Sequence, residues 1–268
     1  MPLAPINGID LYYEVHGSGP ALLFAHGQGG NHLSWWQQVP YFAPYYTCIT
    51  FDHRAFGYSL DRNGAGRSSF GSDVIALLDH LELPDVRVVA HSMGGRSAIS
   101  LALRASERCK ALVLAGTNGG VGDEAVRARQ LKAAEARGDK GLGAFSVHPS
   151  FRDERPDFYF LLRQISRMNP PRPRDFLRTP PPPGVVPRGP IHERLAAAGI
   201  PTFFVVGEHD LITPPDLIEM CHRLVPGSRF QVISGSGHSA YYEKAEVFNE
   251  AVLRFLQAVD ANPLGPSK

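Results

Sequence analysis

The stretch VRVVAHSMGGRSAISLAL, Val86 to Leu103, decides how this chain folds. VRVVAH is a continuously apolar run of the kind that forms a strand buried on both faces, and from Ser97 onward apolar residues recur at helical spacing. Strand and helix are almost contiguous, so the chain must turn sharply at Ser92. Ala90 and Gly94 stand two residues to either side and supply the small residues that such a turn needs. The turn would lift the Ser92 hydroxyl above the carboxyl edge of the sheet, where open α/β folds bind ligands. It would also aim the Met93 N–H, at a helix N-terminus, toward developing negative charge. In isolation Ser92 reads equally well as a helix N-cap, and the rest of the chain has to choose.

Working outward, IDLYYEV (Ile9 to Val15) alternates, and ALLFAHG (Ala21 to Gly27) is continuously apolar. The HGSGP between them carries hairpin-turn chemistry, which suggests an antiparallel edge. CITFD (Cys48 to Asp52), KALVLAG (Lys110 to Gly116), TFFVVG (Thr202 to Gly207) and RFQVIS (Arg229 to Ser234) are further strand candidates. Helical patterns over Ser72–Leu83, Ser97–Leu103, Asp216–Leu224 and Glu246–Val259 alternate with them. The expected architecture is a doubly wound, mostly parallel sheet with helices on both faces. From Thr117 to about Pro190 no strand is evident, only helical stretches such as DEAVRARQLKAAEAR and PDFYFLLRQISRM, followed by the proline-rich NPPRPRDFLRTPPPPGVVPRGP. This is too long for a loop, so residues 117–190 are expected to form an inserted helical cap on a core of 1–116 and 191–268. The proline-rich part reads as a stiff return to the core rather than an SH3-type ligand.

Composition narrows the function classes. A net charge of +1 gives no global field for nucleic acid or an anionic membrane. The three cysteines, Cys48, Cys109 and Cys221, lie far apart and read as small buried hydrophobes in a reducing compartment. The first residues have neither a basic start nor an apolar core of a leader, and no apolar run approaches the ~20 residues that span a bilayer. The expectation is a cytoplasmic monomer or small homo-oligomer that acts on a small-molecule substrate, with no nucleic-acid or membrane partner. No HExxH or CxxC spacing occurs, so neither a metal nor a cofactor is expected.

A serine nucleophile needs a base, and the base needs an orienting acid. TFFVVGEHD ends a strand and presents Glu208, His209 and Asp210; RFQVISGSGH ends another and delivers His238 just before the last helix. Asp210 is preferred on spacing over Glu208, and over Asp216, which falls in a helical first turn where acids are favoured anyway. His32, His80, His148, His192 and His222 lack a loop context for chemistry. The order Ser92, Asp210, His238 differs from that of the two common serine-protease folds. In FAHGQGGNHLSWW, glycines surround Gln28 and make its N–H a natural second oxyanion donor beside that of Met93, with His26 and Gly27 shaping the loop. Trp35, Trp36, Phe56 and Tyr241 are candidates for an apolar substrate pocket.

With these residues in place the sequence closely resembles the α/β-hydrolase superfamily in its lidded branch. The resemblance rests on HG-x-G (His26 to Gly29), FDHRAFGYS (Phe51 to Ser59), AHSMGG, GEHD, and GH followed by YYEKAEVF. It implies Ser92 as nucleophile, Asp210 and His238 as its relay, and the 117–190 segment as a cap over the site. Two positions depart from the family pattern: Ala90 begins the elbow, and Ala55 stands in the DHRAFGYS loop, where glycine is common. The elbow is similar to those of carboxylesterases and lactonases and also of carbon–carbon bond hydrolases, which would want an arginine near the nucleophile; Arg96, Arg163 and Arg167 are candidates. A carboxylate nucleophile, as in epoxide hydrolases and haloalkane dehalogenases, is excluded by Ser92. The expected activity is hydrolysis of a small or medium ester, thioester or lactone. Carbon–carbon bond hydrolysis and a ligand-binding receptor on the same scaffold are the alternatives.

Overall fold

The structure, a computed structural model, describes residues 2–172, 176 and 190–261. Its sheet has eight strands: β1 (Leu3–Ile6), β2 (Ile9–His16), β3 (Ala21–Ala25), β4 (Thr47–Phe51), β5 (Val86–His91), β6 (Cys109–Ala115), β7 (Thr202–Gly207) and β8 (Arg229–Ile233), in the order β1-β2-β4-β3-β5-β6-β7-β8. All pairings from β4 to β8 are parallel, while β1 and β2 form the antiparallel edge. The chain adds β4 on one side of β3 and β5 on the other. The loops leaving β3 and β5 therefore diverge at a topological switch point, where an open sheet leaves a crevice.

The hairpin expected across HGSGP is not formed. β2 pairs with β4, and the turn lies instead at Asn7–Gly8, between β1 and β2, where Ile6 faces Ile9. Both turn residues have positive φ, 45° and 77°, as a two-residue hairpin loop that matches strand twist requires. The HGSGP segment meets the start of β4, where the Thr47 N–H and hydroxyl donate to Pro20 O and Gly19 O, and so carries β3 to the far side of β4.

Period-two alternation divides the inner strands between two cores. Leu23, Val88, Ala90, Leu112, Leu114, Phe204 and Val206 face one, together with α2 (Phe70–His80), α3 (Gly94–Arg104), α7 (Ile191–Ala198) and α8 (Pro215–Arg223). Leu22, Phe24, Val89, Val113, Phe203 and Val205 face the other, where Phe42 of α1 (Val39–Phe42), Tyr241 and Tyr242 of α9 (Ala240–Glu243) and the apolar stripe of α10 (Ala245–Ala261) cover them. Each strand is thus buried on both faces, which is why it reads as a continuous apolar run. Cys48, Cys109 and Cys221 are free and buried, and burial pushes each thiol up to about 12.

Between β6 and α7 the described residues hold α4 (Glu124–Arg137), α5 (Pro149–Glu154) and α6 (Pro156–Arg167) and no strand. α4 starts on an Asp123 side-chain cap, and prolines open α5 and α6, where a missing N–H is harmless. Most of the proline-rich stretch lies outside the described residues.

Candidate active site

The turn after β5 is as tight as the sequence demands. Ser92 has a φ of +49°, a left-handed conformation rare outside glycine, and its N–H is tied to Ala115 O of β6 at 3.0 Å. Gly94 opens α3 against the end of β3, and a Cβ there would lie 2.4 Å from Ala25 O. Only glycine lets the two loops at the switch point close on each other.

The side chains delivered by three strand ends meet. His238 Nε2 stands 2.9 Å from Ser92 Oγ, and His238 Nδ1 lies 2.7 Å from Asp210 Oδ2. A carboxylate only accepts, so Nδ1 carries the ring proton and Nε2 is free to accept from the serine hydroxyl. Asp210 is buried and firmly held: Oδ1 accepts from the Ile212 and Thr213 N–H groups at 2.7 and 2.9 Å, and Oδ2 also accepts from Thr213 Oγ1 at 2.8 Å. Glu208 points elsewhere and accepts from the Gly235 N–H, while Asp216 pairs with Arg129 of α4. Of the three acids considered, Asp210 is the one placed against His238.

On the other side of the crevice the loop after β3 folds over Gly27 O, which accepts from the Gly30 N–H at 3.0 Å. His26 anchors this loop from below. Its Nδ1–H donates to Gly27 O at 2.8 Å and its Nε2 accepts from the His53 N–H at 3.0 Å, so the buried ring is neutral, and burial lowers its pKa to about 4. Among the described residues, neither the Gln28 nor the Met93 N–H donates to a protein acceptor. Asn31, three residues after Gln28, ties the loop to α6 by donating from Nδ2 to Ile165 O at 2.8 Å.

These groups border a cavity of about 320 Å³ lined by Gln28, Ser92 and His238 on the core side and by Leu142, Leu162, Arg163, Ser166 and Arg172 on the other. Of the aromatics expected here, only Tyr241 lines it. Trp35 is fully buried between Phe24 and Tyr241. Trp36 meets Phe158 of α6 edge-on, and Phe56 packs with Phe70 and Phe176. All three stabilise the walls from behind, and the expectation that they form the pocket is corrected. Of the arginines considered, Arg163 lines the cavity whereas Arg96 and Arg167 do not. Arg172 and the serines Ser146, Ser166 and Ser239 also line it and were not anticipated. Among the described residues, no group of three or more His, Cys, Asp or Glu is placed to hold a metal ion, and no helix is long and apolar enough to cross a membrane.

Comparison with known proteins now bears on this arrangement. A family model described as the alpha/beta hydrolase fold matches residues 20–245. The chain belongs to the α/β-hydrolase family. It is 28% identical to 3-oxoadipate enol-lactonase 2 of Acinetobacter baylyi, over 91% of this chain and 92% of that one. Its structure is similar to that of a thermophilic esterase from Thermogutta terrifontis (TM-score 0.75, 26% identity, 96% and 97% of the two chains). It is also similar to a bromoperoxidase from Bacillus anthracis (TM-score 0.72, 26% identity, 93% and 96%). Such likenesses make this α/β-hydrolase chain a hydrolase. Of its two departures from the family pattern, Ala90 is fully buried in β5, whereas Ala55 is held at a φ of +64°. Glycine suits that second position because the backbone there is left-handed.

Proposed function

We propose that this α/β-hydrolase is a serine hydrolase that cleaves a small or medium carboxylic ester, thioester or lactone through an acyl-enzyme. The observation that carries the proposal is the unbroken chain from Ser92 Oγ through His238 to Asp210, at 2.9 and 2.7 Å, with Ser92 and His238 lining the same cavity as Gln28. Ser92 Oγ attacks the carbonyl carbon while its proton passes to His238 Nε2, and Asp210 stabilises the resulting imidazolium. The Gln28 and Met93 N–H groups receive the oxyanion; losing one such donor costs about 2.7–4 kcal/mol. Collapse returns the proton from Nε2 to the leaving alcohol, thiol or lactone hydroxyl. Water then loses a proton to Nε2, attacks the acyl carbon, and releases the acid with Ser92 restored. The esterase and lactonase named among its relatives support the same substrate class.

A cavity of about 320 Å³ suits a compact substrate, since ligand pockets span roughly 300–1,000 Å³. The test combines labelling with turnover. A fluorophosphonate is expected to attach to Ser92 in the native protein and to leave Ser92→Ala unlabelled. A panel of 4-nitrophenyl esters, thioesters and lactones is expected to contain substrates. Inertness toward the whole panel, with cleavage of a vinylogous diketone, would transfer the site to carbon–carbon bond hydrolysis. Binding without turnover of either class would make the chain a receptor.

A further inference from the structure

Among the described residues, the cavity wall opposite the serine is cationic and carries no carboxylate. Apart from His91 and His238, the ionisable side chains lining it are Arg163, Arg172 and Tyr241, and no Asp or Glu is among its lining residues. Arg172 is partly buried and held by two contacts. Its Nη1 donates to Ala55 O at 3.0 Å, and its guanidinium lies 3.9 Å over the Phe56 ring. Three residues earlier, Asn169 clips the same segment to the core by accepting from the Gly57 N–H at 2.9 Å. A guanidinium has five N–H donors, and no other hydrogen bond or ion pair engages Arg172 among the described residues. Burial lowers its pKa. Elsewhere in the fold, buried arginine is treated differently: Arg54 is locked between Asp73, Asp61 and Asn63.

Arg163 approaches the same space from α6, one turn before Ser166, and has no hydrogen-bond or ion-pair partner among the described residues. An exposed arginine on a helix is ordinarily just solvated. Here it shares a cavity with a second cation that is partly stripped of water and, among the described residues, is given no carboxylate. Leaving such a charge uncompensated is unfavourable unless a ligand supplies the missing anion.

We infer that the substrate carries a carboxylate remote from the scissile bond, which Arg172 and Arg163 receive while its ester or lactone carbonyl sits at Ser92. A guanidinium fork matches a carboxylate in two parallel hydrogen bonds, which fixes direction as well as affinity. The apolar side chains Leu142, Leu162 and Ile212, which line the same cavity, are suited to the hydrocarbon between the two ends. The substrate class is therefore the half-ester or lactone of a short dicarboxylic acid, and the product is an acid bearing two carboxylates.

The inference rests on the ester-hydrolase reading, so turnover and binding are measured separately. For turnover, mono-4-nitrophenyl glutarate is compared with its neutral methyl ester. The native protein is expected to prefer the anionic substrate at least about tenfold in kcat/KM at low salt, the scale of a charge-assisted contact. Added salt should weaken that preference. Arg172→Gln and Arg163→Gln should each reduce the ratio of the two kcat/KM values several-fold; because Arg163 is exposed and makes no hydrogen bond or ion pair among the described residues, its variant decides if Arg172→Gln misfolds. For binding, glutarate is titrated calorimetrically into Ser92→Ala protein with and without Arg163→Gln, and dimethyl glutarate serves as the neutral control. Glutarate binding that Arg163→Gln weakens, in a protein that turns over neither ester, upholds the carboxylate site and overturns the hydrolytic reading alone. Turnover with no preference for the charged ester, or a preference that neither arginine variant alters, overturns the carboxylate site and leaves the hydrolytic reading standing.

Discussion

His91 holds the residue that faces its own neighbour: its Nε2–H donates to the backbone carbonyl oxygen of His238 at 3.1 Å. The ring also lies 4.8 Å from that of His238 and 4.7 Å from that of Tyr241. Burial keeps His91 neutral, well below the usual imidazole range, so Nε2 can carry the proton that this contact requires. His91 is bonded directly to Ser92. One side chain therefore sets the spacing between the hydroxyl and the imidazole that would deprotonate it.

From this contact we expect His91→Phe, which keeps a ring and removes the donor, to lower kcat on a 4-nitrophenyl ester by about tenfold to a hundredfold, the scale of a misplacement approaching 1 Å. KM should stay within about twofold, because phenylalanine keeps a ring in the cavity wall where His91 stands. Stopped-flow and steady-state kinetics separate the two parameters; an unchanged kcat would show that His238 is held without this bond.

Asp210→Asn should be far more damaging. The carboxylate accepts four hydrogen bonds, including that from His238 Nδ1–H. An amide has only one acceptor oxygen, and its NH₂ can face His238 only by favouring the wrong tautomer. We expect kcat to fall by about 10⁴-fold with the fold retained, judged by an unchanged circular dichroism spectrum. A loss below about tenfold would remove Asp210 from the reaction.

These expectations follow from features that were unevenly legible in the sequence. The elbow was readable because its demands are local: a serine at a strand-to-helix junction needs small residues two positions away, and Ala90 and Gly94 are there. Asp210 and His238 were readable because each follows a strand end on one sheet edge. The Asn7–Gly8 turn carried an equally local signal, but β1 is only four residues long and the longer apolar runs drew the hairpin to HGSGP instead. Trp35 and Phe56 could not be placed, since an aromatic residue reads the same in a pocket wall as in the core behind it. Arg172 was beyond reach altogether, because its place depends on where the segment after α6 crosses Ala55 and Phe56.

Ala55→Gly should stabilise the protein. Ala55 sits at a φ of +64° while its N–H donates to Ser59 O at 2.7 Å and its carbonyl accepts from Arg172, so the loop holds it in a left-handed conformation. That conformation costs an L-residue roughly 1–2 kcal/mol, and the greater chain entropy of unfolded glycine offsets about 0.4–1 kcal/mol of the relief. A net gain of about 0.5–1 kcal/mol is expected in urea unfolding. A decrease would mean that the Ala55 methyl contributes more by packing than its backbone loses by strain.

Acid should destabilise the fold well before its carboxylates titrate. His26, His53 and His91 are buried and neutral, and burial lowers the pKa of all three, that of His26 to about 4. In the unfolded chain each binds a proton below about pH 6.5, whereas the folded protein excludes it, so the unfolded state holds more protons and stability falls as pH falls. Each such group contributes a slope of up to about 1.4 kcal/mol per pH unit. Together they should remove up to about 4 kcal/mol between pH 6 and pH 5, and His26 ceases to contribute below about pH 4. His53 isolates the effect. It stacks on Phe70 at 4.5 Å, and neither ring nitrogen has a hydrogen-bond partner among the described residues. His53→Phe preserves the stack and removes the proton-binding site, so urea midpoints at pH 7.5, 6 and 5 should fall about a third less steeply than in the native protein. Midpoints that do not move between pH 7.5 and pH 5 in the native protein would contradict the burial of all three rings as neutral imidazoles.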